Sequence, residues 1–128
     1  DEMLIEITFN CHTGFPKKIQ EDRRIASQGR KANQPLRNRS AGSIFKNPSD
    51  QLAAGYLIDQ AGLKGTQRGG ACISKKHANF IINLGEATAD DVFYLIRLAK
   101  KKVAEAFDIN LELEIKLVGF PKSMMNEI

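Results

Sequence analysis

The stretch "ATADDVFYLIRLAKKKVAEAFDI", residues 87–109, constrains the fold more than any other part of this chain. Thr88 and Asp91 form a Thr-x-x-Asp start signal of the capping-box kind. After them Val92, Leu95, Ile96, Ala99, Val103, Ala106 and Phe107 recur at three- and four-residue spacing, one apolar face of a long helix. Lys100, Lys101 and Lys102 fall in the C-terminal half of that helix, where a solvated cationic face is the ordinary outcome. Directly afterwards the period changes from 3.6 to two. In "LELEIKLV", residues 111–118, Leu111, Leu113, Ile115 and Leu117 alternate with Glu112, Glu114 and Lys116, so a half-buried strand is expected.

The other elements are shorter. "MLIEITFN", residues 3–10, reads as a strand. Thr13 and Pro16 suit the start of a helix to about Gly29 with a thin apolar stripe of Phe15, Ile19, Ile25 and Ala26. "RKANQPLRNRS" follows as a polar extended connection. Ser49 can cap a helix through "DQLAAGYLIDQA" that stops at Gly62. "GACIS" and "NFIINL" read as short strands joined by the polar turn "SKKHA". Strands and helices mix without a regular βαβα beat. The expected class is therefore α+β, a mostly antiparallel sheet with two to three packed helices.

At 128 residues the chain has the length of one domain. No run approaches the roughly 18 apolar residues of a membrane span, and no basic-then-apolar leader precedes the first element. Cys11 and Cys72 are too few for a disulfide framework, so a reduced, cytoplasmic protein is expected. The chain starts at Asp1, not Met, and is expected to be a fragment of something longer. Charge is uneven. Between Lys17 and Lys46 nine basic residues face only Glu21 and Asp22, a net of +7 within a chain of net +4. Such a basic third points to an anionic partner, nucleic acid or a phosphorylated small molecule, against the simpler alternative of a solvated basic surface.

Several motifs fail on inspection. Cys11 with His12, or Cys72 with His77, never reaches the three or four ligands of a zinc site, so no metal is expected. "GLKG", residues 62–65, has the Gly-x-x-Gly form of a KH loop, but a turn and strand follow it instead of a second helix. "NRS", residues 38–40, matches a glycosylation acceptor without a secretory context. Ser43 sits in no Gly-x-Ser-x-Gly elbow.

Residues 40–48, "SAGSIFKNP", combine more demands than a turn needs. Ala41 and Gly42 keep the backbone low beside the Ser43 hydroxyl. Lys46 and Asn47 add a cation and an amide, and the helix expected after Pro48 presents free N–H groups to anionic oxygens. A strand-turn-helix junction accounts for the same residues without chemistry.

Taken together, "SAGSIFKNP", "LAAGYLIDQAGLKG", "RGGACISKKHANFIIN", the long helix and "LELEIKLVG" resemble the C-terminal domain of the UDP-N-acetylenolpyruvoylglucosamine reductase (UDP-N-acetylmuramate dehydrogenase) family, in order over about residues 1 to 119. The resemblance implies a division into residues 1–10, the trailing strand of a flavin-binding part or a lead-in; residues 11–119, the substrate-binding domain; and residues 120–128, a tail. It implies a cytoplasmic step of bacterial peptidoglycan synthesis, in which NADPH reduces FAD and the flavin delivers hydride to UDP-N-acetylglucosamine enolpyruvate. Ser43 is then the acid that protonates the carbon beside the carboxylate. Glu114, the Glu immediately before the last apolar run and Gly119, faces it across the substrate. Lys31, Asn47 and His77 are the implied substrate-binding residues, the first two towards the diphosphate or nucleotide.

FAD and NADPH would belong to the full-length enzyme, whose N-terminal FAD-binding domains and catalytic arginine are missing here. The isolated fragment should bind no cofactor and be inactive, with neither nucleic acid nor membrane as partner. Asp108 departs from the pattern, since many relatives carry glycine there. The rival reading is a stand-alone basic nucleotide- or RNA-binding module, which would lose affinity steeply with ionic strength.

Overall fold

The computed structural model describes residues 4–125. The chain divides into two compact units, Asp1–Ala32 and Asn33–Ile128.

The first unit holds most of α1, Pro16–Asn33, with proline at its first position, where a missing N–H costs nothing. α1 runs four residues beyond Gly29, so the start of "RKANQPLRNRS" is helical and not extended. None of its residues is buried, and Phe15, Ile19 and Ile25 are exposed. The helix carries its own ion pairs, Lys18 to Asp22 at 3.0 Å and Arg24 to Glu21 at 2.6 Å. The strand expected over residues 3–10 does not form over 4–10, and Met3 lies outside the described residues. A strand exists only where its N–H and C=O groups meet a neighbour, and this segment pairs with none among the described residues.

The second unit is built on a four-stranded antiparallel sheet in the order β1-β4-β3-β2: β1 Arg39–Ser43, β2 Gln67–Arg68, β3 Ala71–Ile73 and β4 Phe80–Asn83. Two helices pack with it, α2 Ala54–Gln60 and α3 Ala89–Phe107; a last turn, α4 Lys122–Met125, lies in the tail. The α+β architecture with an antiparallel sheet is thus the one its sequence pattern implies. The core joins Ile44 and Phe45, Leu57 and Ile58, Ile73, Ile81, and Leu95, Ile96, Ala99 and Val103 of α3, closed by Leu111.

α3 opens on a complete capping box. The Asp91 N–H donates to Thr88 Oγ1 at 3.1 Å, and the Thr88 N–H donates to Asp91 Oδ2 at 3.0 Å. Its buried face includes Phe93, while Ala106 and Phe107 at the C-terminal end are exposed. α2 starts at Ala54, four residues later than a Ser49 cap would place it; Ser49 and Leu52 instead form an isolated bridge. The strand expected over 111–118 shrinks to one antiparallel bridge, Phe45 to Leu113. The alternation survives in burial, with Leu111 inside and Glu112, Glu114 and Lys116 outside, but among the described residues only Ile44–Lys46 offers this strap an edge to pair with.

Candidate active site

Ser43 ends β1, and the ladder shifts before it. Arg39 pairs with Asn83 and Ser40 with Ile82, but Ser43 pairs with Phe80, one residue out of register. Gly42 lies inside this irregularity at φ +88°, a left-handed conformation that disfavours any side chain. The glycine therefore permits the kink that re-aims the half-buried Ser43. Beyond it Ile44 and Phe45 enter the core, each 1% exposed.

The C-terminal strap lies along this segment. The Lys46 N–H donates to the Glu112 carbonyl and the Glu114 N–H to the Ile44 carbonyl, both at 2.9 Å. The Glu114 backbone is thus hydrogen-bonded to the residue that follows Ser43, beside the Phe45–Leu113 bridge. The structure also separates the two glutamates that alternation alone leaves equivalent. The Glu112 carboxylate is paired with Lys46 Nζ at 3.2 Å, whereas the exposed Glu114 carboxylate has no partner among the described residues.

Asn47 has a structural task. Its Oδ1 accepts the Ala54 N–H at 3.1 Å, closing the first turn of α2, whose own N-cap residue, Ala53, has no side chain able to do so. Its Nδ2 makes no hydrogen bond among the described residues. His77 is half-buried at the "SKKHA" turn, edge-on to Phe80 at 4.9 Å, with Nδ1 accepting the Asn79 N–H at 3.3 Å. Burial, then the nearby Lys64 charge, pushes its pKa below the usual histidine value. Lys31 belongs to the first unit, near the end of α1, so the basic third of the sequence is divided between the units.

Two features escaped the sequence reading. Asn79 is a buried amide in the core, 3% exposed. The Gly69–Gly70 turn is pressed against the start of α3, where a Cβ on Gly69 would meet the Asp91 carboxylate and one on Gly70 would meet the Glu86–Ala87 backbone. The Thr88 groups, the Gly70 N–H and Arg68 together hold the Asp91 carboxyl below the usual aspartate range.

Two open grooves of about 490 and 440 Å³ lie on this unit, the first along α3 beside Tyr94, Arg97 and Lys101, the second between β1 and the start of α3. Neither is lined by Ser43, Asn47, His77 or Glu114. Among the described residues no three His, Cys, Asp or Glu side chains gather as metal ligands, and Cys72 is buried with its thiol pKa pushed up. No described helix is long and apolar enough to cross a membrane.

Comparison with known proteins decides the family. The model described as UDP-N-acetylenolpyruvoylglucosamine reductase, C-terminal domain, matches residues 34–118. A reductase of that name from Chloroherpeton thalassium is 56% identical over 105 residues, covering 78% of this chain and 34% of the relative. One from Syntrophobacter fumaroxidans is 42% identical over 126 residues, 98% of this chain and 36% of the relative. The crystal structure of UDP-N-acetylenolpyruvylglucosamine reductase from Thermus caldophilus superposes with a TM-score of 0.63 at 44% identity, over 78% of this chain and 34% of that one. This chain belongs to that reductase family.

It spans about a third of the length of the curated relatives it matches. The matched residues, 34–118, fall wholly within the second unit and contain Ser43, Asn47, His77 and Glu114, while Lys31 lies just before them. The one double-glycine turn that could cradle a pyrophosphate is already filled by Asp91 and the Glu86–Ala87 backbone.

Proposed function

We propose that this chain is the substrate-binding, proton-donating domain of a reductase that converts UDP-N-acetylglucosamine enolpyruvate to UDP-N-acetylmuramate in the cytoplasm, for peptidoglycan synthesis. FAD and NADPH belong to the remainder of that enzyme. The observation that carries the reading is the bridge that puts the Ser43 segment and Glu114 side by side in a chain of this family.

Chemically, reduction of the enol ether leaves the carbon beside the carboxylate in need of a proton. Ser43 supplies it. An alcohol is a poor acid in water, so it can act only within about 3 Å of the developing carbanion and against a surrounding that favours the transfer. Glu114, free of the ion pair that occupies Glu112, assists by positioning or by restoring the serine proton. The Asn47 Nδ2 and the Lys31 cation recognise the nucleotide diphosphate, and His77 borders the substrate. The site is open on this domain alone. Its other wall comes from the FAD-binding part, of which residues 1–10 are the trailing strand or the lead-in, with residues 11–119 as the substrate domain and 120–128 as a tail.

In the full-length enzyme, Ser43→Ala is expected to lower turnover by about 10²–10⁴-fold, the usual contribution of a positioned general acid. Flavin reduction by NADPH should be unchanged. Turnover at the wild-type rate would sink the acid role.

A further inference from the structure

The segment between Ser43 and Asn47 has almost no secondary structure of its own, yet its backbone is almost fully satisfied. The Ile44 N–H donates to the Asn79 carbonyl at 2.9 Å, and the Ile44 carbonyl accepts from Glu114. The Lys46 N–H goes to Glu112. Phe45 is the exception in kind. Its N–H donates to Asn79 Oδ1 at 2.9 Å, and its carbonyl accepts from Asn79 Nδ2 at 2.8 Å. One carboxamide thus stands in for a strand partner, presenting donor and acceptor to the same residue as a peptide group would.

We propose that Asn79 is the positioning residue of this site: its side chain locks the Ile44–Phe45 step and so fixes the Ser43 hydroxyl relative to Glu114. The inference rests on the roles given above to Ser43 and Glu114. Ile44 is both the successor of Ser43 and the acceptor for Glu114, so any shift of Phe45 is transmitted to both. Asn79 is itself held. Its N–H donates to His77 Nδ1, and the turn before it is tied by Ser74, whose buried Oγ accepts the N–H groups of Lys76 and His77 and whose N–H donates to the Phe80 carbonyl. Within this arrangement His77 serves as an acceptor for the turn, in addition to any contact with substrate. Asparagine is the side chain that satisfies both Phe45 groups. Aspartate keeps the acceptor but turns an oxygen towards the Phe45 carbonyl, and alanine leaves two buried polar groups without partners.

The test uses the full-length enzyme with UDP-N-acetylglucosamine enolpyruvate. Asn79→Asp and Asn79→Ala should lower kcat about 10²-fold, the effect of an ångström-scale misplacement, with KM for the UDP-sugar within about threefold of wild type. Amide exchange at Phe45 should speed up at least tenfold in the same variants. Unchanged kcat with fast Phe45 exchange would overturn the proposal, as would unchanged exchange. A rise in KM matching the fall in kcat, the mark of a purely structural residue, would overturn it too. If Asn79→Ala does not accumulate, Asn79→Asp, nearly identical in shape, carries the test. Failure of the underlying reading looks different: Ser43→Ala would then turn over at full rate with Phe45 exchange still slow.

Discussion

Asn47 is asked to do two things, and its two amide atoms separate them. Oδ1 accepts the Ala54 N–H at 3.1 Å, while Nδ2 is left for a ligand. Replacing an N-terminal capping side chain with alanine ordinarily costs about 1 kcal/mol. Here the orphaned donor belongs to Ala54, which is 0% exposed, so water cannot readily take the place of Oδ1. The larger desolvation penalty of about 1–2 kcal/mol therefore applies. Asn47→Ala should accelerate exchange of the Ala54 amide by roughly 5–30-fold. Asn47→Asp keeps an acceptor at the same place and should leave that amide as slow as in wild type. The substrate readout runs the other way. Both variants lose the Nδ2 donor, and aspartate adds a charge that repels a diphosphate, so KM for the UDP-sugar should rise in both and further in Asn47→Asp. Hydrogen exchange and steady-state kinetics on full-length protein check the two halves. Equal Ala54 exchange in the two variants would refute the capping argument, and a wild-type KM in Asn47→Asp would refute the ligand contact.

Asp108 caps α3 in the left-handed conformation, φ 56°, ψ 35°, with its N–H donating to the Ala104 carbonyl. Relief of about 1–2 kcal/mol of strain, less about 0.4–1 kcal/mol for added freedom when unfolded, makes Asp108→Gly stabilising by about 0.5–1 kcal/mol in thermal unfolding; a lower melting temperature would contradict this. Gly42→Ala has open space for its Cβ, so its cost comes from φ +88° alone, about 1–2 kcal/mol, with kcat falling as Ser43 is re-aimed; unchanged kcat would count against the kink's role. Asp91 has its folded pKa lowered by Thr88, Gly70 and Arg68, so it contributes stability above the unfolded value near ~4, lost as pH falls through the folded one. Denaturation from pH 7 to 2 should then show wild type more stable than Asp91→Asn at neutral pH, with the gap closing below about pH 4; a gap independent of pH would exclude the linkage.

Legibility of the fold followed the range of the interactions. α3 was readable because its signals are local: a capping box three residues wide and an apolar face repeating every turn. β3 and β4 were readable because short apolar runs flanked a polar turn. The start of α2 was misplaced for the opposite reason. Sequence offers Ser49 as a cap, but the hydrogen bond comes from Asn47, seven residues before Ala54, across a loop that local rules do not describe. The segment from residue 4 to 10 has strand-like chemistry and no strand, since a partner edge is not a property of the segment.

The site shows the same division more sharply. Ser43, Asn47 and Glu114 could be named from motif and family resemblance; alternation alone makes Glu112 and Glu114 equivalent, and the difference in their surroundings comes from the Lys46 ion pair to Glu112, formed across 66 residues of chain. Asn79 gave no signal at all. Between Ala78 and Phe80 it looks like a turn residue before a strand, and nothing in its neighbours says that its amide will meet both backbone groups of Phe45. A hydroxyl and a carboxylate can be proposed from sequence because their chemistry is intrinsic. The residue that holds them at the right separation acts only through where the chain is folded, so its identity has to come from coordinates.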